Sequence, residues 1–272
     1  MTTNSASPTP PPHSDQILVS FPAEHVLLLT LNRPKSLNAM SPQMARDLQV
    51  VLDWFAEEPS LWVVIVTGAG RAFCAGMDLI AWNADQQAGK TNEQTRIMSH
   101  GFGSLSRREI TKPIIAAVNG GAYGGGTEIV LNSDLVVAAD NAKFGLPEVK
   151  RGVYAAAGGI PRLAHIAGHQ LASEMLLLGN PISAQDAYSR FGFVNRVVPA
   201  SEVIPTAVQL AKEVIQNSPD SVQTTKLGLL MAQKYDHDRV ARENMWAPET
   251  TRLYHGDNIK KRAPKWKNPA KL

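Results

Sequence analysis

The chain has 272 residues, of which 44% are hydrophobic and 19% charged, with a formal net charge of +3. That length supports one large domain, or a domain with an appendage, around a substantial core, and no apolar run approaches the roughly 18 residues of a membrane span. The single cysteine, Cys74, excludes an intrachain disulfide and a cysteine-rich zinc site, and fits a reducing compartment.

Residues 1–15 are rich in Pro, Ser and Thr and read as a disordered leader. They have no apolar stretch for a secretory signal, and the first basic residue is Arg33, unlike a mitochondrial transit peptide. Strands are expected at Ile17–Phe21 and Val26–Leu31, joined through Pro22-Ala-Glu. Ser41-Pro42 has the pattern of an N-cap followed by proline in the first helical turn. The helix it starts should reach about Ala56, with Met44, Leu48, Val51, Leu52 and Phe55 on one face. Trp62–Thr67 reads as a buried strand, and the strand pattern at Ala72-Phe-Cys breaks into a tight turn at Ala75-Gly-Met-Asp78. Residues 81–100 are polar and weakly patterned, the expected position of a loop over a site. Two more short strands are expected at Ile114–Val118 and Leu135–Ala139. Beyond residue 158 the chain reads as helix almost throughout, interrupted near Gly179-Asn-Pro181 and Ser218-Pro219. Strands alternating with helices predict an α/β core, and the helical remainder a docking or oligomerising region.

Seven histidines are present, and His165 and His169 are four apart, but no metal-site motif surrounds them. A bound metal is therefore not expected. Gly124-Gly-Gly126 falls between a strand and the start of a helix expected near Thr127. Glycines let a backbone approach a ligand, and a helix start presents unpaired N–H groups, so this place suits an anion or a developing oxyanion. A plain tight turn explains the same triplet. The dinucleotide fingerprint is absent, because neither the glycine spacing nor the downstream acid is right. The Ala75-Gly76-Met77 turn offers a second N–H donor, and two donors make an oxyanion hole. Gly-x-Ser-x-Gly is absent, and Cys74 beside the turn reads as a packing residue rather than a nucleophile.

Two glutamates lie in otherwise apolar settings. Glu128 falls in the first turn after the glycine triplet, where a helix-dipole role is the plain alternative. Glu148 follows Pro147, where a helix-start acid is the plain alternative. Burial would raise both pKa values. Two carboxylates near one water let one take a proton while the other gives one.

Together these segments resemble the enoyl-CoA hydratase/isomerase family of the crotonase superfamily. The resemblance runs through Leu31-Asn-Arg-Pro-Lys-Ser-Leu-Asn-Ala39, Ala72-Phe-Cys-Ala-Gly-Met-Asp-Leu79, Ala117-Val-Asn-Gly120 and Gly124-Gly-Gly-Thr-Glu128. It continues in Phe144-Gly-Leu-Pro-Glu148, Gly158-Gly-Ile-Pro-Arg162, Ile182-Ser-Ala-Gln-Asp-Ala187 and Gly192-Phe-Val-Asn195, so that roughly residues 16–235 are covered. It implies a crotonase-type spiral of ββα units over residues 16–200, followed by a helical trimerisation region at 201–259. Homotrimers or dimers of trimers are the implied assemblies. The implied substrate is an acyl-CoA thioester, with no cofactor beyond the CoA that the substrate carries. By resemblance, the N–H groups of Met77 and Gly125 form the oxyanion hole. Lys35 and Leu37 lie along the CoA, and Ala75, Asp78, Leu79, Gly124 and Pro147 along the rest of the substrate.

Glutamate at both 128 and 148 is the pattern of the family's hydratases, whereas Δ3,Δ2-isomerases lack one. Dienoyl-CoA isomerases, aryl-CoA dehalogenases and acyl-CoA hydrolases of the family place an aspartate where this chain has Ala156. The expected activity is therefore reversible addition of water across C2=C3 of a 2-enoyl-CoA, a carbon–oxygen lyase reaction. Its setting would be β-oxidation or specialised metabolism such as siderophore or toxin acyl-group synthesis. Glu128 is expected to activate water and Glu148 to protonate C2. Arg151-Gly-Val-Tyr-Ala-Ala-Ala157 departs from the fatty-acid hydratases and points to an unusual acyl group, branched, hydroxylated or carnitine-like, with Tyr154 near its pocket. The other readings are an enoyl-CoA isomerase and a non-catalytic, RNA-binding relative. The RNA reading is weakened because the basic residues crowd the tail, 260–272, instead of one helical face. The last residues, Ala270-Lys271-Leu272, are a variant of the Ser-Lys-Leu peroxisomal signal, and predict a peroxisomal import receptor as partner.

Overall fold

The computed structural model describes residues 8–87, 100–235 and 237–255. The basic tail with Ala270-Lys271-Leu272, and residues 88–99 of the expected loop, lie outside the described residues.

β1 (Ile17–Ala23) and β2 (Val26–Leu31) form an antiparallel hairpin. α1 (Pro42–Glu57) starts as the sequence suggests: the Ser41 side chain accepts the Met44 N–H, and Pro42 needs no donor of its own. The buried face of α1 carries the five expected apolar residues and Asp47. Asp47 accepts hydrogen bonds from the backbone and hydroxyl of Ser14, which attaches residues just before β1 to this helix.

The next three strand pairs share one plan. β3 (Val63–Gly68), β5 (Ile114–Val118) and β7 (Leu135–Ala139) enter a six-stranded sheet, ordered β1-β2-β3-β5-β7 with a sixth strand, Arg196–Val198, beyond β7. Each is followed by a short strand in a second, four-stranded sheet: β4 (Ala72–Cys74), β6 (Gly121–Tyr123) and β8 (Lys143–Gly145). The chain thus winds from one sheet to the other in a repeating spiral. The runs Val63–Val66 in β3 and Ile114–Val118 in β5 are unbroken and apolar because these are central parallel strands with buried side chains. α2 (Leu79–Gln87) follows β4, and α3 (Gly125–Asn132) follows β6. A 3-10 turn, Pro147–Arg151, follows β8.

Beyond residue 158 the structure corrects the nearly all-helical expectation. α4 (Gly159–Leu178) is followed by β9 (Ile182–Ser183), α5 (Ala184–Ser189) and β10 (Arg196–Val198). β9 closes the small sheet against β8, and β10 lies parallel to β7 at the edge of the large one. Strands of two and three residues at sheet edges are too short to show a period of two. α6 (Val203–Ile215) buries Val203, Ala207 and Ala211 against β3, β5 and β7. α7 (Pro219–Ala232), α8 (His237–Trp246) and α9 (Pro248–His255) pack on one another. The loop expected at 81–100 is corrected in part: residues up to Gln87 continue α2. No helix among the described residues is long and apolar enough to cross a membrane.

Candidate active site

The site lies where the ends of β4, β6 and β8 meet the segment before α1. In that segment Leu37 and Asn38 both have positive φ, 51° and 56°. Asn38 is fully buried; its amide donates to the carbonyls of Ala69 and Ala72, at 2.9 and 2.7 Å, and its oxygen accepts the Arg33 N–H at 2.8 Å. A buried asparagine that satisfies three backbone groups offsets the left-handed conformation it occupies. The turn so held pairs with the turn after β4. Ala75 donates to the Leu37 carbonyl at 3.0 Å, Met40 to Gly76 at 2.8 Å, and Asp78 to Met40 at 3.2 Å. Arg33 Nη1 meets Asp78 at 2.9 Å and the Ala39 carbonyl at 2.5 Å. Burial works to raise the Asp78 carboxyl, but the Ala81 N–H and the Arg33 guanidinium outweigh it and hold it below the usual range. Lys35 is exposed beside this junction, and Leu79, at the start of α2, is half exposed.

Gly76, at φ 92°, lets the β4 turn pass close to β6, since a Cβ there would stand 2.9 Å from the Tyr123 carbonyl. Gly124 then donates to Gly145 at 2.8 Å, tying the end of β6 to β8. Gly126 packs on the Cys74 backbone, where a Cβ would come within 2.4 Å. Thr127 Oγ1 lies 2.8 and 2.9 Å from the carbonyls of Ala122 and Gly145 and fixes the first turn of α3. α3 starts two residues earlier than the sequence suggested, at Gly125. Met77 lies in the turn after β4, and Gly125 is the first residue of α3, a position whose N–H has no partner in the helix ladder. One side chain lies over this end of the helix: a Cβ on Gly125 would fall 2.2 Å from the Phe102 ring.

Glu128 is buried in the first turn of α3, and its Oε1 accepts the Gly159 N–H at 2.9 Å. Burial pushes this carboxyl up to about 7. The Glu148 charge adds to the rise, while the backbone of Gly159 and Ala157 and the Arg162 guanidinium oppose it. Glu148, the second residue of the 3-10 turn after β8, approaches Gly124; a Cβ on that glycine would be 3.1 Å from Glu148 Oε1. Burial raises Glu148 as well, against its own backbone N–H and the Arg151 charge. Its Oε2 is buried with no hydrogen-bond partner among the described residues. An unpaired buried carboxylate oxygen is costly unless a ligand or water answers it.

The fold therefore brings Leu37, Ala75, Met77, Asp78, Gly124, Gly125, Glu128, Pro147 and Glu148 into one region. Ala75 and Pro147 also line a cavity of about 400 Å³ with Tyr123, Lys150 and Arg151. Tyr154 is largely exposed. Four residues missed in the sequence are Asn38, Phe102, Ser106 and Gly159. Asn38 and Gly159 lie inside segments that carry the family resemblance, whereas nothing in the local sequence marks Phe102 or Ser106. The buried Cys74 thiol is pushed up to about 12, which suits packing and not nucleophilic attack. Among the described residues no group of His, Cys, Asp and Glu is arranged to hold a metal ion.

Comparison with known proteins agrees with this geometry. The sequence profile of the enoyl-CoA hydratase/isomerase family matches residues 22–261. The chain is 44% identical to a mevalonyl-coenzyme A hydratase of Aspergillus fumigatus, over 94% of this chain and 96% of that protein. It is 48% identical to a mevalonyl-coenzyme A hydratase of Beauveria bassiana, over 81% and 80%. A crystal structure of enoyl-CoA hydratase from Mycobacterium tuberculosis superposes with a TM-score of 0.83 at 33% identity, covering 93% of this chain and 96% of that one. With its spiral fold and paired glutamates, the chain belongs to the enoyl-CoA hydratase/isomerase family, as a hydratase-like member of the crotonase superfamily.

Proposed function

We propose that the protein interconverts a 3-hydroxyacyl-CoA and its 2-enoyl-CoA, with Glu128 and Glu148 as the acid–base pair. The observation that carries this reading is that two buried carboxyls meet the Gly124–Gly125 helix start, Glu128 in its first turn and held by Gly159, Glu148 beside Gly124 with a free buried oxygen. In hydration, Glu128 takes a proton from water as oxygen bonds to C3, and Glu148 gives a proton to C2. The negative charge that grows on the thioester oxygen is met by the Met77 and Gly125 N–H groups. Dehydration runs the same groups backwards: Glu148 removes the C2 proton, and Glu128 protonates the departing hydroxyl. Both directions require one proton shared between the two carboxyls. Burial raises both carboxyls, and the Glu148 charge adds to the rise at Glu128, so the two groups act on one another directly.

For the acyl group we infer mevalonyl, branched and hydroxylated at C3, from the names of the two fungal relatives and from the departure at residues 151–157. This places the enzyme in specialised metabolism, such as siderophore acyl-group synthesis, rather than straight-chain β-oxidation. The CoA arm is assigned to the Lys35–Leu37 side and the thioester to the junction with Ala75–Leu79. Homotrimer formation through the 201–259 helices and peroxisomal import through Ala270-Lys271-Leu272 complete the proposal. Sedimentation tests the trimer, and a fluorescent fusion with and without the tripeptide tests import. Kinetics with mevalonyl-CoA, crotonyl-CoA and carnitinyl-CoA test the substrate. The highest kcat/KM for mevalonyl-CoA is expected, and a preference for crotonyl-CoA would refute the assignment.

A further inference from the structure

Ser106 lies outside every motif of the reaction and is fully buried. Its hydroxyl donates to the Ala157 carbonyl and accepts the Phe102 N–H, both at 2.8 Å. Each partner leads to a different half of the site. On one side, the Phe102 ring packs directly on Gly125, at the helix start assigned to the oxyanion. On the other, Ala157 belongs to the turn whose Gly159 N–H holds Glu128 at 2.9 Å, and the Ala157 backbone itself acts on that carboxylate. The residues around Ser106 are anchored independently. Asn132, at the end of α3, donates to the Leu105 and Arg108 carbonyls at 2.6 and 3.1 Å. A single hydroxyl thus joins the cover of the helix start to the clamp on the base, from a segment fixed to the same helix.

We propose that Ser106 is a positioning residue that keeps the Ala157–Gly159 clamp on Glu128 in register with the Phe102-covered helix start. The inference rests on the reading of Glu128 as an acid–base residue. Without this hydroxyl, the Ala157 carbonyl and the Phe102 N–H lose their shared partner, and the turn is free to shift relative to α3. A displacement on the scale of 1 Å at a reacting group can cost about 10²-fold in rate. The charged groups facing Glu128 are Glu148, from the turn after β8, and Arg162, from α4; Arg107 and Glu109 act in turn on Arg162. A Ser106 variant substitutes none of these charged residues. A movement of the Glu128 limb therefore reports displacement of the turn that carries its donors, and not the loss of a charge.

The experiment compares wild type with Ser106→Ala, Ser106→Cys and Glu128→Gln, all as the full chain, in hydration of crotonyl-CoA. Folding is checked by thermal denaturation, and binding by titration with butyryl-CoA. The expected result for Ser106→Ala is a fall in kcat of about tenfold with KM within about twofold. The limb of the pH profile that follows Glu128 should move to higher pH, because the backbone donors that lower it are misplaced. Ser106→Cys, close in shape but a weaker donor, should lie between; if the alanine variant does not fold, the same two readouts on the cysteine variant decide. A folded Ser106 variant with wild-type kcat and pH profile, alongside an inactive Glu128→Gln, overturns the positioning role alone. An active Glu128→Gln overturns the reading on which it rests.

Discussion

Gly159, the first residue of α4, donates its N–H to Oε1 of Glu128 in the first turn of α3 at 2.9 Å. One helix start thus steadies the carboxylate that belongs to another. The contact is close enough that a Cβ on Gly159 would stand 3.0 Å from Glu128 Cγ and 3.1 Å from its Oε1. Gly159→Ala should therefore displace the carboxyl without removing it. A drop in kcat of about tenfold or more is expected, with butyryl-CoA affinity little changed. Steady-state kinetics and a binding titration check this.

The raised Glu128 carboxyl has a consequence for stability. Its folded value, about 7, exceeds the ordinary 4.5, so the folded protein holds this proton more tightly than the unfolded chain does. The stabilisation this gives is complete below about 4.5 and is lost as the pH climbs through 7. Glu128→Gln carries no such loss. Its Tm relative to wild type should therefore rise between pH 5 and pH 8, read by thermal denaturation across that range. A Tm difference independent of pH would contradict the buried, raised carboxyl.

Asn38 joins three backbone groups in a fully buried position with a left-handed backbone. Asn38→Ala leaves two carbonyls and one N–H without their partner and keeps the backbone strain. A destabilisation of about 2–4 kcal/mol is expected. Asn38→Gly relieves the strain but not the missing hydrogen bonds, and should fall between wild type and Asn38→Ala. Denaturant unfolding measures both.

Cys74 lies one residue before the β4 turn, yet its thiol is buried and pushed up to about 12. Native protein should resist maleimide at neutral pH and react after unfolding. Cys74→Ser should retain turnover, because the residue packs against Gly126 and carries no chemistry. Rapid inactivation of native enzyme by maleimide at this one cysteine would contradict that role.

Much of the fold was legible because its signals are local. Ser41-Pro42 announces α1, and the apolar runs at 114–118 and 135–139 are strands with those bounds. The edge strands Ile182–Ser183 and Arg196–Val198 were not legible, since their pairing with β8 and β7 is a tertiary choice that so few residues cannot encode. The glutamates and both glycine turns stood out as punctuated motifs. Phe102 and Ser106 did not, because their importance comes from contacts with residues 23 and 51 positions further along.

The paired action of Glu128 and Glu148 is tested most directly by loss of the conjugated-thioester absorbance of crotonyl-CoA in Glu128→Gln and Glu148→Gln. Each variant should lose at least about 10²-fold in kcat, the usual contribution of a positioned acid or base, while butyryl-CoA still binds within a few-fold of wild type. Near wild-type turnover by either variant would contradict the paired mechanism.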